Sequence, residues 1–220
     1  MKTEPDRLES LATAVAKATP DFDEEHQRIA LELYRRLAEG SPALASEVAQ
    51  GAGVAVERVE ELLEAWPGVF LDEDAGVIGF WGLTINKLSP THRLEVDGRE
   101  LFAWCAWDTL FLTGILGASA PVESACPTTS ETISLVVSPE GVVETSHPAA
   151  VVSFLVPDRD FDADVIQSFC HFVHFFASRE AGEAWTAEHP GTFLLSLGDA
   201  FELGRLVNAL NFPSELGGRR

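Results

Sequence analysis

Apolar positions in the first eighty residues recur mostly at helical spacing. Leu8, Leu11, Ala12 and Val15 mark one helix, which Thr19-Pro20 stops. Asp23 then caps a second helix over residues 24–38, with Ile29, Leu33 and Leu37 on one face. Gly40-Ser41-Pro42 ends it. A short helix is predicted over 43–50 and, after the turn Gly51-Ala52-Gly53, another over 56–65 carrying Val59, Leu62 and Leu63. Val69-Phe70-Leu71 and Val77-Ile78-Gly79-Phe80 flank a turn at 72–76 and read as a hairpin. Helix, turn, helix, hairpin is the order of a winged helix-turn-helix, so residues 1–82 are expected to form a winged-helix-like helical domain.

The pattern changes from Trp81 onward. Residues 96–100 read as a turn, and the apolar run 100–116 as a buried helix. Strands are predicted over 132–137 and 151–156, with Ser138-Pro139-Glu140-Gly141 turning the first into Val142–Thr145. Cys170–Ala177 is aromatic and alternates in part, which favours a strand. A helix over 180–188, a short strand over 193–196 and a helix over 199–209 close the chain. Helices mixed with antiparallel strands make this an α+β protein, its second domain spanning residues 83–220.

Composition narrows the function. With 46% hydrophobic residues in 220, the chain can bury a core, which excludes wholesale disorder. Three cysteines are too few to staple a fold of this length. The formal net charge of −20 opposes nucleic acid, and the basic clusters are only Arg35-Arg36 and the terminal Arg219-Arg220. The helix that would read DNA, Ala55–Glu64, carries four glutamates and one arginine, where a groove-reading helix needs Lys, Arg, Asn or Gln. Met1–Ser10 is charged and lacks the apolar core of a signal peptide. The long apolar stretch 101–120 contains Asp108, so a buried core segment is expected there, not a membrane span. An odd cysteine count without an export signal points to the reducing cytoplasm.

Candidate chemistry centres on the cysteines. In Ala103-Trp104-Cys105-Ala106-Trp107-Asp108-Thr109, a helix would place Cys105 and Asp108 on one face, with Trp104 and Trp107 walling the site. Burial would raise the Asp108 pKa and suit it to donate a proton. Cys126 sits in loop-like Ser124-Ala125-Cys126-Pro127-Thr128, and Cys170 precedes His171 and His174. Zinc signatures pair such ligands with a second cluster, and none appears here. No phosphate loop, Gly-x-Ser-x-Gly elbow or His-Glu-x-x-His is present, so nucleotide cofactors and serine hydrolase chemistry lack support.

Phe102–Leu110 and Ser168–Ser178, in that order, resemble organomercurial lyase (alkylmercury lyase). The resemblance extends over about residues 84–211. It takes in Cys126 ahead of Ile-Ser-Leu-Val-Val, Trp185, and the closing Ala-Phe-Glu-Leu-Gly, and that family also has a winged-helix-like N-terminal domain. It implies that residues 83–220 are the catalytic domain and that Cys105, Asp108 and Cys170 are the catalytic trio. Cys126 would be structural. The family often has a second cysteine directly after the last one, where this chain has His171. The implied activity is protonolysis of the carbon–mercury bond of alkyl- and arylmercury compounds to a hydrocarbon and Hg(II). Mercury would sit on Cys105 and Cys170, which suits a soft ion. Asp108 would shuttle the proton and touch the metal, and Trp104 and Trp107 would line the organic pocket. No resident cofactor is expected. The expected partners are the organomercurial, cellular thiols that take the product, and mercuric reductase, with neither nucleic acid nor membrane. The competing expectation is a winged-helix, mercury- or metal-responsive regulator using the same cysteines. The glutamates of 55–64 and the acid beside Cys105 weigh against it.

Overall fold

A computed structural model describes residues 4–216 of the chain. Four helices come first: α1 (Glu4–Ala18), α2 (Glu24–Leu37), α3 (Ala45–Ala52) and α4 (Val56–Ala65). The Asp23 carboxylate caps α2 by accepting the His26 N–H at 2.9 Å. Glu24 and Glu25 in the first turn of α2 and Arg35 and Arg36 in the last complement its dipole. Ile29, Leu33 and Leu37 are fully buried, as their spacing predicts.

The strands β1 (Val69–Leu71) and β2 (Val77–Phe80) pair as the expected hairpin. Next come β3 (Leu83–Thr84), β4 (His92–Val96), β5 (Arg99–Ala103), helix α5 (Asp108–Leu116), and β6 (Ala120–Ala125), β7 (Thr132–Ser138) and β8 (Gly141–Thr145). All eight strands join one sheet in the order β1-β2-β3-β5-β4-β6-β7-β8, every pair antiparallel. The ladder runs without a break across positions 82–83 through the β2–β3 and β3–β5 pairs. The β4–β5 connection is the two-residue turn Asp97-Gly98, both with positive φ (49° and 75°), as a tight hairpin requires.

The remaining elements are β9 (Val151–Leu155), α6 (Val165–Ser168), β10 (Phe175–Phe176), α7 (Arg179–Glu188), β11 (Thr192–Ser196) and α8 (Leu197–Asn211). A second, antiparallel sheet has the order β10-β9-β11. Helix α8 packs against both α1 and α5, so the two ends of the chain close over the middle. Among the described residues no helix is long and apolar enough to cross a membrane.

Two expectations are corrected. The run 100–116 is not one helix. Residues 99–103 form strand β5, residues 104–107 bend, and only Asp108–Leu116 is helical. Leu101, Phe102 and Ala103 are all buried inside the sheet, so the run lacks the alternation that marks a half-exposed strand. Nor is 170–177 a strand throughout: Cys170–Phe172 is a 3₁₀ turn and only Phe175–Phe176 joins the sheet. The Ser153 hydroxyl enforces this kink by donating to the Phe172 carbonyl (2.8 Å) and accepting the His174 N–H (2.9 Å). The terminal Arg219-Arg220 pair lies outside the described residues.

Leu101 fills the centre of β5 with no exposure. Leu101→Ala is expected to cost about 2–5 kcal/mol, read as a lower urea midpoint with an unchanged slope.

Candidate active site

The site forms where β5 leaves the sheet. The chain bends at Trp104–Trp107, and Asp108 opens α5. The Asp108 carboxylate folds back so that Oδ2 accepts the Cys105 N–H at 2.8 Å. This hydrogen bond across a turn, not a shared helical face, brings Cys105 and Asp108 together. The second segment arrives on the 3₁₀ turn carrying Cys170. The Ala106 N–H donates to the Val173 carbonyl (3.1 Å), tying the residue after Cys105 to the turn that holds Cys170.

The sulfur atoms of Cys105 and Cys170 and a carboxylate oxygen of Asp108 lie within 4.8 Å of one another. No other His, Cys, Asp and Glu side chains among the described residues make such a group of three, and Cys126, His171 and His174 stand outside it. The three residues are 0%, 4% and 5% exposed for Cys105, Cys170 and Asp108. All three cysteines are free thiols.

Burial sets the protonation. Desolvation raises the Asp108 pKa to about 7, against hydrogen bonds from Cys105 and the Trp104 backbone that favour the charged form. Burial pushes the Cys105 thiol well above its ordinary value, helped by the hydrogen bond to Cys170 and the nearby Asp108 charge. That same thiol–thiol bond lowers Cys170, but burial and Asp108 outweigh it and Cys170 is raised. Both thiols therefore rest protonated at neutral pH, beside an acid that is half ionised there. Cys126 differs. Burial pushes its thiol up, yet hydrogen bonds from Thr129, Ala177 and Thr128 hold it below the ordinary value. Its backbone closes the turn after β6, the N–H donating to the Glu131 carbonyl and the carbonyl accepting the Ser130 N–H, both at 2.8 Å.

A cavity of about 60 Å³ opens beside Asp108 and Cys170, enough for a few water-sized groups. Trp104 and Trp107 both line it, though no helix presents them. Trp107 is fixed by donating its indole N–H to the Ala200 carbonyl of α8 (2.9 Å), and it packs edge-on against Phe111 and Phe154. Trp104 lies against Phe70 and Trp81, and its buried indole N–H has no partner among the described residues.

Tyr34, Trp81, Gly82 and Phe169 are among the further lining residues, and the sequence pattern does not single them out as such. Only Gly82 carries a sequence signal: an isolated glycine in a strand pattern marks close backbone approach. Its φ is +93°, and a Cβ there would meet Asp108 Cγ at 2.9 Å. The cavity is otherwise built by tertiary contacts between distant segments.

The alkylmercury lyase (MerB) family profile matches residues 87–208, more than half of the chain. The chain belongs to the alkylmercury lyase family. Alkylmercury lyase of Staphylococcus epidermidis is 43% identical over 178 residues, which is 80% of each chain. Alkylmercury lyase of Pseudomonas putida is 39% identical over 194 residues, 88% of this chain and 89% of that one. The Streptomyces lividans enzyme is 41% identical over 180 residues, 81% of each. The fold is shared with a crystal structure described as the mercury-bound form of MerB2. That match has a TM-score of 0.72 at 24% identity and covers 92% of this chain and 98% of that one.

The buried acid links stability to pH. Folded Asp108 ionises near 7 instead of near 3.8. Between those values the folded state keeps a proton that the unfolded chain has lost, so stability falls as pH rises through the window. The loss is on the order of 4 kcal/mol once both states are ionised. Asp108→Asn should flatten the decline in urea midpoint between pH 5 and 8. A variant with the wild-type slope would contradict the assignment.

Proposed function

We propose that this protein cleaves the carbon–mercury bond of organomercurials by protonolysis, with Cys105 and Cys170 holding mercury and Asp108 carrying the proton. The observation that carries this reading is two thiols and one carboxyl, all buried, within 4.8 Å of one another beside an apolar cavity. A soft, large cation bonded to carbon is the reagent such a set suits. Thiolates bind mercury in preference to oxygen or nitrogen ligands. A protonated acid near neutrality supplies what the departing carbon needs.

The organomercurial enters as R–Hg bound to a carrier thiolate. One buried thiol bonds to mercury, and the carrier leaves as a thiol with one proton. When the second thiol bonds, its proton passes to the Asp108 carboxylate. Two thiolates raise electron density on mercury and weaken its bond to carbon. That bond breaks with both electrons going to carbon, and Asp108 delivers the proton there. The products are R–H and Hg(II) on Cys105 and Cys170, and Asp108 is again a carboxylate. The raised pKa of Asp108 supports this role, because the group can both take and give a proton near pH 7. The apolar walls from Trp104, Trp107 and Phe169 exclude water and receive the organic group.

The reading requires no resident cofactor. Cellular thiols remove Hg(II), with mercuric reductase as the downstream acceptor, and the free thiols suit a cytoplasmic setting. The division at residue 82 is one of roles. The segment 1–82 takes the order α2, α3, α4, β1, β2 that suits a winged-helix-like module, and it contributes Val15, Thr19, Phe22 and Tyr34 to the cavity wall. It does not suit DNA. Glu57, Glu60, Glu61 and Glu64 are exposed on α4, and Arg58 is engaged by Glu25 and Glu61. The regulator reading is therefore not favoured.

Cys105→Ser and Cys170→Ser should each lower phenylmercury turnover under excess thiol by at least about 1,000-fold, with far-UV circular dichroism unchanged. Cys126→Ser should lower the melting temperature and leave turnover per folded molecule within about twofold. Loss of turnover in a well-folded Cys126→Ser protein, with Cys105→Ser active, would overturn the assignment.

A further inference from the structure

One buried polar group beside the cavity has no part in the reaction above. Tyr34, on α2, is 3% exposed and lines the cavity. Its hydroxyl donates not to a side chain but to the backbone carbonyl of Trp81, at 2.8 Å. Trp81 and Gly82 form the connection between β2 and β3, and both have positive φ, +29° and +93°. For a tryptophan that conformation is sterically costly, so something must hold it. Three hydrogen bonds do: the Trp81 N–H on the Gly68 carbonyl at 3.2 Å, the Trp104 N–H on the Gly82 carbonyl at 3.0 Å, and Tyr34, the one side chain among them, on the Trp81 carbonyl. The pinned turn then presses Gly82 against Asp108. A Cβ there would stand 2.9 Å from Cγ and 3.0 Å from Oδ1 of the carboxylate, while the other oxygen, Oδ2, accepts the Cys105 N–H.

We infer that Tyr34 is a positioning residue for the reaction. It clamps the Trp81-Gly82 turn so that Gly82 holds the Asp108 carboxylate on the Cys105 N–H, beside both sulfur atoms. This rests on the reading of Asp108 as proton carrier. It also assigns the N-terminal helices a part in the chemistry, since the clamp reaches the site from α2. Burial and the Asp108 charge push the Tyr34 phenol well above its ordinary value, so it stays protonated and remains a donor.

The test uses Tyr34→Phe in the full chain, which keeps the ring in the cavity wall and removes only the O–H. Two readouts are needed. Without substrate, the Cys105 amide proton should move upfield in NMR spectra and exchange with solvent about tenfold faster, while β7 amides keep their protection. With methylmercury, kcat should fall about tenfold while KM stays within about twofold. In an Asp108→Asn background, adding Tyr34→Phe should change residual turnover by less than about twofold, because no carboxylate remains to be positioned. An unchanged Cys105 amide, or the same tenfold loss on top of Asp108→Asn, would overturn the proposal. Removing one hydrogen bond while keeping the ring is expected to leave the variant folded, and turnover is taken per folded molecule. A wild type without turnover, whose Cys105 amide still responds to Tyr34→Phe, would sink the lyase reading and leave the clamp standing.

Discussion

The site depends on one hydrogen bond, from the Cys105 N–H to the Asp108 carboxylate. A carboxyl group buried among tryptophans and phenylalanines would be expensive without such a partner. With it, the acid stays in place and its charged form is stabilised only in part. Desolvation wins that contest by a margin that leaves Asp108 poised near neutrality. The same bond fixes the bend after β5, because the side chain at the head of α5 reaches back over the turn that precedes it. The contact that fixes the geometry of this site therefore also tempers the proton affinity that burial raises.

The rest of the fold serves to keep that contact dry. The eight-stranded sheet delivers Cys105 at the end of β5, and the smaller sheet delivers Cys170 through the turn held by Ser153. Helices α1, α2 and α8 cover the opening. The Phe161 N–H donates to the Ala18 carbonyl at 2.7 Å, drawing the loop before α6 onto the end of α1. Sulfur atoms that bind a soft cation gain from this enclosure, since water and harder ligands are kept out. The cost falls on the resting thiols, which burial keeps protonated; in the proposed reaction mercury displaces that proton.

Much of this was legible in the sequence, for identifiable reasons. The helices over 24–37 and 56–65 and the hairpin 69–80 follow from clean periodicity and turn residues. The helices and strands after residue 178 follow likewise. The run 100–116 misled because residues 101–110 are buried without interruption through strand, bend and the first turn of the helix, so they show neither the alternation nor the amphipathic stripe by which such elements differ. The spacing Cys105-x-x-Asp108 still pointed to a pair that the fold brings together, since a tight turn closes three residues as well as a helical face does. The contribution of Cys170 was legible only through resemblance, because no local rule brings residues 105 and 170 together. Tyr34 was out of reach for the same reason, meeting the β2–β3 connection only through the packing of α2, while Gly82 carried the signal of an isolated glycine but not the identity of what approaches it.

The central claim is that Asp108 hands its proton to the carbon that leaves mercury. The most direct measurement is methane released from methylmercury under excess thiol, read by gas chromatography for the wild type and Asp108→Ala side by side. The account predicts methane from the wild type and almost none from the variant, with the variant still binding mercury through its two thiols. Equal methane from both proteins, or none from a folded wild type that binds mercury tightly, would contradict it.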